Sequence, residues 1–428
     1  MNELGIFIGL KSIRNKPNMI EKLEEYGFDI LQIHPPNYVV NKDYYLDTCV
    51  KPDTIDAEKA KDINDFLKEL HQHDFKIYAP YAVIQRMNDI KKCPKISAKT
   101  IFNKRHSIRV CPNNSDAINK IIADMLNMIE YYELDGIVFD FIRYESFMAG
   151  FESFFTCFCE KCRREAYERG YDMDLMKKDI LQLIRNIIEI SGKTVKNLLE
   201  LKFSLPDFLH LFLKYPGFFE WIRYKNEVIT DITEYLTSIV KNDMGKNFIV
   251  SANILSPWWS YFSGQSYFEM SRILDFTEPM IYFDWMIWEA TTSIVEIQRK
   301  NNVSIDDLAK LYYELIGFKY LEKLKTFNEI LSSGLPAESI YYSVKRIKYW
   351  SGDKPVYPVL MSNTTDFIHN FLKMRLSNKS MMNENFIEKC VEYARKAGSN
   401  GLILFSYERT EDNILRRAAE TWLRKTIP

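Results

Sequence analysis

Three thiols stand within six residues, in Cys157-Phe158-Cys159-Glu160-Lys161-Cys162, and a fourth, Cys111, lies upstream in Cys111-Pro112-Asn113-Asn114. A C-x-C-x-x-C spacing that runs into the charged stretch Lys161 to Glu165 suits neither a core strand nor an apolar helix face, and reads as metal ligation. Thiolate is the soft ligand that suits zinc, and a closed set of four leaves no position open to water or substrate. The expected ion is a structural Zn2+ that staples loops, held by Cys111, Cys157, Cys159 and Cys162. The alternative is ordinary buried cysteine. That second reading is taken for Cys49, Cys93 and Cys390, each isolated in the sequence.

Two carboxylates form the other chemical set. Asp140 stands in Gly136-Ile137-Val138-Phe139-Asp140-Phe141-Ile142-Arg143-Tyr144, and Glu278 in Phe276-Thr277-Glu278-Pro279-Met280-Ile281-Tyr282. A carboxyl group framed by apolar residues is costly unless it is paired or functional. Cleavage of a glycosidic bond needs two of them, one ionised as nucleophile or base and one protonated as acid. Arg143 would hold Asp140 ionised as the nucleophile, or bind substrate. Glu278, with fewer cations near it in sequence, is the candidate for a raised pKa and the acid/base role. The structural alternatives are an Asp140–Arg143 ion pair closing one end of a barrel and a Glu278 that caps a loop.

Around this pair, His34, Tyr81, Asn253, Tyr282 and Tyr407 end apolar segments and could form a polar floor. Glu408 is a reserve carboxylate. Trp258, Trp259, Trp285 and Trp288 cluster in sequence, and Trp258 and Trp285 are taken as platforms on which the apolar face of a sugar stacks. Packing of loops on one another is the other use for these rings.

The elements that must position these groups are eight short apolar runs: Gly5 to Leu10, Asp29 to His34, Lys76 to Tyr81, Gly136 to Phe141, Phe248 to Asn253, Phe276 to Tyr282, Val356 to Met361 and Gly401 to Ser406. Nearly continuous apolarity, rather than alternation, marks parallel strands buried on both faces. Amphipathic helical stretches such as Asp56 to His71, Asp116 to Tyr132 and Asn383 to Ala397 lie between most of them. The expected fold is α/β, a (β/α)8 TIM barrel, with an open doubly wound sheet as the fallback. A bare barrel needs about 250 residues. The 428 present therefore imply one elaborated domain over 1–428, with helical insertions at about 163–246 after strand four and 284–354 after strand six. Both insertions leave the carboxyl ends of their strands, where barrel enzymes build active sites. Cys111 and the Cys157 loop follow neighbouring strands on that same face.

Composition narrows the function further. Lys and Arg number 57 against 58 Asp and Glu, so there is no cationic surplus for nucleic acid, and a carbohydrate is the expected partner. No run reaches a membrane-spanning length without charge, and the apolar start at Gly5 is broken at Lys11, so no membrane partner is expected. With few cysteines and three of them clustered, the chain reads as cytoplasmic, in a reducing compartment. The charge balance and aromatic content are compatible with a homo-oligomer. Phosphate-binding glycine loops, the G-x-S-x-G elbow and H-E-x-x-H are all missing from the sequence.

Cys111-Pro112-Asn113-Asn114 together with Cys157-Phe158-Cys159-Glu160-Lys161-Cys162-Arg163-Arg164 resembles the zinc cluster of the bacterial zinc-containing β-galactosidases, retaining glycosidases on a (β/α)8 barrel. The resemblance carries the zinc role to Cys111, Cys157, Cys159 and Cys162. Those enzymes end strand four with Asn-Glu, where this chain has Phe139-Asp140. The string Asp135 to Tyr144, with Asp275 to Tyr282 and Leu404-Phe405-Ser406-Tyr407-Glu408, is similar to glycoside hydrolases of the barrel type. The implied function is hydrolysis of a glycosidic bond in an oligosaccharide or glycoconjugate, with retention. The alternative is a non-catalytic carbohydrate-binding or interaction barrel that lacks a working carboxyl pair.

Overall fold

Eight strands pair in parallel and in chain order: β1 (Glu3–Phe7), β2 (Ile30–Gln32), β3 (Lys76–Ala82), β4 (Gly136–Asp140), β5 (Ile249–Leu255), β6 (Phe276–Ile281), β7 (Val359–Met361) and β8 (Gly401–Phe405). The last pairs with the first, Glu3 opposite Gly401 and Ile6 opposite Leu404, which closes the barrel. This is the expected (β/α)8 fold, seen here in a computed structural model that describes residues 3–16, 18–52, 55–317, 326–333, 335–362 and 382–424.

Side chains alternate between the lumen and the helical layer. At the amino-terminal end the rings of Tyr78, Phe276 and Tyr357 meet, with Phe276 and Tyr357 stacked at 4.3 Å. The space they fill is supplied by glycine. A Cβ on Gly136 would stand 3.0 Å from Tyr78, and one on Gly401 would stand 2.5 Å from Tyr357. Apolar residues dominate the lumen, but Gln32 and Ser251 enter it in register with Tyr78 and Phe276, and Asn253 lies one step further toward the carboxyl end, opposite Glu278.

The insertion after β4 holds helices at Gly150–Phe154, Glu160–Glu168, Met173–Ile188, Gly192–Leu201, Leu205–Lys214 and Pro216–Met244. The one after β6 includes Phe283–Lys300, Ile305–Leu315, Phe327–Ser333 and Glu338–Ser351. Several of the insertion helices start on a side-chain cap, as at Asp172, Ser191 and Ser304, each accepting from a backbone N–H of the first turn. Between β3 and β4 the chain also makes a two-stranded antiparallel ribbon, Ser97–Lys99 with Arg105–Val110.

One expectation about sulfur is corrected. Cys49 and Cys93 are not isolated but form a disulfide. They lie in the connections after β2 and β3, which are neighbours in space although 44 residues apart. A cross-link of this kind is at odds with a reducing compartment. Among the described residues no helix is long and apolar enough to cross a membrane.

Replacing Gly401 by Ala is expected to cost about 1–3 kcal/mol, the usual penalty for overpacking a core. Urea unfolding measures it. The double variant Gly401→Ala/Tyr357→Leu should recover part of the loss, and strictly additive effects would show that ring and glycine are not in contact.

Candidate active site and metal centre

Registry brings the two carboxylates toward each other. Phe139 pairs with Ala252 and Asn253 pairs with Glu278, so Asp140, Asn253 and Glu278 stand in one row on β4, β5 and β6. Strands lie about 4.8 Å apart, which puts the first and last Cα of the row roughly 10 Å apart before their side chains converge inward. The charge of Asp140 adds to the cost of ionising Glu278.

Glu278 is fully buried. Gln32 Nε2 donates to its Oε2 from across the lumen, and Ser251 Oγ donates to its Oε1, both at 2.6 Å. Burial pushes this carboxyl up strongly; the two donors oppose the shift, Asp140 adds to it, and the result is a pKa of about 7. Gln32 Oε1 is buried without a partner among the described residues. Turning that amide over would offer an acceptor to a protonated Glu278.

Asp140 is only half-buried, and its Oδ1 accepts the Phe141 N–H at 2.8 Å. Burial raises its pKa; the charge of Arg143, the Phe141 N–H, Arg109 and His34 oppose that rise without cancelling it. Phe141 itself has φ of 50°, a left-handed conformation that costs a bulky side chain of order 1–3 kcal/mol. The guanidinium groups of Arg109 and Arg143 lie 5.0 and 5.2 Å from the centre of its ring. Behind it Arg109 forks onto Glu145 through Nε and Nη2, at 2.8 and 3.1 Å, and Arg143 stands 3.9 Å away. Burial would raise the Glu145 carboxyl, yet Arg109 and Arg143 overcome it and hold it at about 2. Arg143 thus belongs to a buried charge cluster and acts on Asp140 through its field.

His34, two residues beyond β2, is an exposed residue, yet desolvation of its ring lowers its pKa, against the opposing effects of the Pro35 backbone and Asp140. Tyr282 is buried at the end of β6, stacked on Phe405 at 5.2 Å, and its hydroxyl senses both Asp140 and Glu278. Asn253 Oδ1 is buried and has no partner among the described residues. These residues lie beside the carboxyl pair.

Others do not. Tyr78 faces the lumen, so Tyr81, three residues on, faces the helical layer, where its hydroxyl donates to the Ile121 carbonyl at 2.7 Å. Trp258 turns into the helical insertions, under the guanidinium of Arg346 at 4.3 Å. Tyr407 is covered by Lys16, whose Nζ donates to its hydroxyl. Glu408 is exposed and accepts the Gly9 N–H at the end of β1. The side chains of Trp285 and Trp288 lie outside the described residues. Gln32, Ser251, Arg109 and Glu145 were not anticipated; a lone glutamine between Leu31 and Ile33 was the available signal for the first.

The candidate metal centre lies at the base of the first insertion. The Sγ atoms of Cys111, Cys157, Cys159 and Cys162 all lie within 4.8 Å of one another. Cys111 stands 3.4 Å from Cys159 and 3.5 Å from Cys162, near the edge of about 3.8 Å that a tetrahedron of sulfurs 2.3 Å from a metal would have. The ribbon delivers Cys111 and the loop after β4 delivers Cys157, while Cys159 and Cys162 sit at the amino-terminal turn of helix Glu160–Glu168, whose dipole favours thiolate. The Lys99 N–H donates to Cys157 Sγ at 3.2 Å, and Asn113 Nδ2 to Cys162 Sγ at 3.4 Å. Tyr224 accepts from Asn113 and donates to the Cys162 carbonyl, tying the centre to the long helix Pro216–Met244. Donors aimed at sulfur, and four thiols of which three are buried, fit a closed metal site.

No family model and no curated protein matches the sequence. Solved structures do match. The PgaB (BpsB) glycoside hydrolase domain from Bordetella bronchiseptica superposes with a TM-score of 0.54 at 11% identity, over 99% of this chain and 100% of that one. The likeness is one of fold. A β-galactosidase from Halorubrum lacusprofundi gives 0.60 at 10% identity over 98% of this chain, which spans 57% of that protein. The catalytic domain of a β-amylase from Paenibacillus polymyxa gives 0.51 at 10%, with 98% and 96% covered. The neighbours are glycoside hydrolases on TIM barrels.

The state of Glu278 is open to measurement. With a folded pKa near 7 against an unfolded value near 4.5, the native chain keeps a proton that the unfolded chain releases, so stability falls as pH rises between these values. The loss sums to about 3 kcal/mol at 1.36 kcal/mol per unit. Urea titrations from pH 4.5 to 7.5 should show this fall in the wild type, and a correspondingly smaller one in Glu278→Gln. Parallel pH dependences would mean that Glu278 is ionised throughout.

Proposed function

We propose that the chain is a glycoside hydrolase acting on a carbohydrate or glycoconjugate at the carboxyl end of the barrel. The observation that carries the reading is the row Asp140–Asn253–Glu278, in which one carboxyl reaches the mouth and the other keeps its proton near neutral pH. Asp140 is the nucleophile and Glu278 the acid/base. Asn253 offers its unpartnered amide oxygen to a sugar hydroxyl, and His34 lines the open side. Arg143, with Arg109, biases Asp140 toward its charged form.

Glu278 is covered in the free chain, so its proton passes to the substrate through the Tyr282 hydroxyl, which lies in the field of both carboxyls. Convergence of the pair to about 5 Å would give retention of configuration, and a wider gap inversion. A screen of aryl glycosides and natural oligosaccharides tests the reading. Glu278→Gln should lower kcat by about 10²–10⁴-fold and abolish the decline of rate above about pH 7. Asp140→Asn should lose at least as much, and Tyr282→Phe should lower kcat with KM little changed. Full turnover by folded Asp140→Asn and Glu278→Gln would remove both assignments.

A second reading has its own support. Complete cover of Glu278 and the burial of Trp258 among the insertion helices favour a carbohydrate-binding barrel without turnover. Sugar binding that survives in both carboxyl variants, with no product from any glycoside, is its signature.

The four thiolates are assigned to zinc as a structural ion, whose chemistry is to fix the ribbon, the loop after β4 and the first insertion helices as one unit. Metal analysis should give one zinc per chain. Cys162→Ser should lose it and unfold several kcal/mol more easily. A metal-free chain of unchanged stability would leave the thiols without an ion.

A further inference from the structure

Helix Leu205–Lys214 turns its apolar side outward. Leu205, Phe208, Leu209, Phe212 and Leu213 recur at the spacing of a single helical face, are 45% to 76% exposed, and the helix has no buried residue. Contiguous apolar surface of this kind marks an interaction site. Around it, positions 193–214 carry four lysines against two acids.

Behind that helix lies a cavity of about 500 Å³ between the two insertions and the loop after β5. Phe218, Trp258, Trp259, Ile297, Leu308 and Ile316 are among its almost wholly apolar walls, and its volume falls in the range of small-molecule sites. Trp259 Nε1, buried, has no partner among the described residues. A line of rings joins stripe to cavity. Phe208 and Phe212 lie 5.6 and 5.1 Å from Phe219, which lies 5.3 Å from Phe218 in the cavity wall. On its other side the cavity is walled by Trp258, which follows Asn253 by five residues, and by Ile297, on the helix that starts next to Tyr282.

We propose that this region binds a lipid-like amphiphile, its hydrocarbon tail in the cavity and its polar head toward the mouth, with the stripe resting on the anionic lipid surface that supplies it. The proposal deepens the glycosidase reading, on which the identity of the head as a sugar rests, and it replaces the expectation of no membrane partner. Directionless apolar walls fit a hydrocarbon chain, and the flanking lysines fit anionic head groups. A second copy of the chain would cover the stripe but leave the cavity without a use.

The tail site is tested with n-alkanols from hexanol to decanol, which carry no sugar, by tryptophan fluorescence and calorimetry. Affinity should rise about fourfold per added methylene, and Leu308→Trp, which fills the cavity, should flatten the series. The surface is tested by sedimentation with phosphatidylcholine–phosphatidylglycerol vesicles. Wild type should bind, and the exposed triple variant Phe208→Ser/Leu209→Ser/Leu213→Ser should bind at least tenfold more weakly while keeping its circular dichroism and Tm. No dependence on chain length, equal vesicle binding by the triple variant, or a dimer in light scattering that the triple variant dissolves would each overturn the proposal. Asp140→Asn should leave both bindings unchanged. Lipid binding without turnover of any glycoside sinks the catalytic reading alone, and turnover of short aryl glycosides without lipid binding sinks this one alone.

Discussion

A closed barrel of eight parallel strands has a dry interior, and every side chain aimed into it must be packed or paired. That requirement orders the molecule from one end to the other. Where rings fill the lumen, glycine stands opposite them, as Gly401 does to Tyr357. Where a carboxyl group enters, as Glu278 does, it must be met by donors from other strands, here Gln32 on β2 and Ser251 on β5. The same dryness sets the chemistry, because it makes ionisation of Glu278 expensive while Asp140, closer to water, stays within the field of two arginines.

Strain gathers at the same end. Phe141 takes a left-handed backbone one residue after Asp140, and the cost is offset by the contacts of its ring with Arg109 and Arg143, which Glu145 holds in turn. Backbone conformations of this kind cluster at sites that must hold one orientation. Here the effect is to fix the Phe141 N–H against Oδ1 of Asp140 and limit how that carboxyl can turn.

Much of this was legible in the sequence. Runs such as Gly136 to Phe139 are apolar on both faces, and this pattern locates all eight strands; the thiol spacing locates three members of the cysteine cluster, and barrel connectivity brings in the fourth. What the sequence does not display is side-chain direction at strand ends. Tyr81 and Asn253 look alike as polar ends of apolar runs, yet a difference of phase sends one toward a helix and the other toward Asp140. Trp258 fails for another reason: loop residues carry no period, so nothing local distinguishes a ring at the mouth from one among helices. Cys49 and Cys93 are unrelated in sequence and become partners only because successive connections lie side by side.

That disulfide sits in the same chain as four thiols whose proposed role requires them to remain thiolate. Coordination lowers the nucleophilicity of sulfur and removes it from the reach of oxidants, whereas a bare cluster with sulfurs 3.4 Å apart would cross-link readily. If the four thiols hold the proposed ion, that ion has to arrive before the oxidant does. A polypeptide exposed in the reverse sequence would trap mispaired bridges at the base of its own insertion.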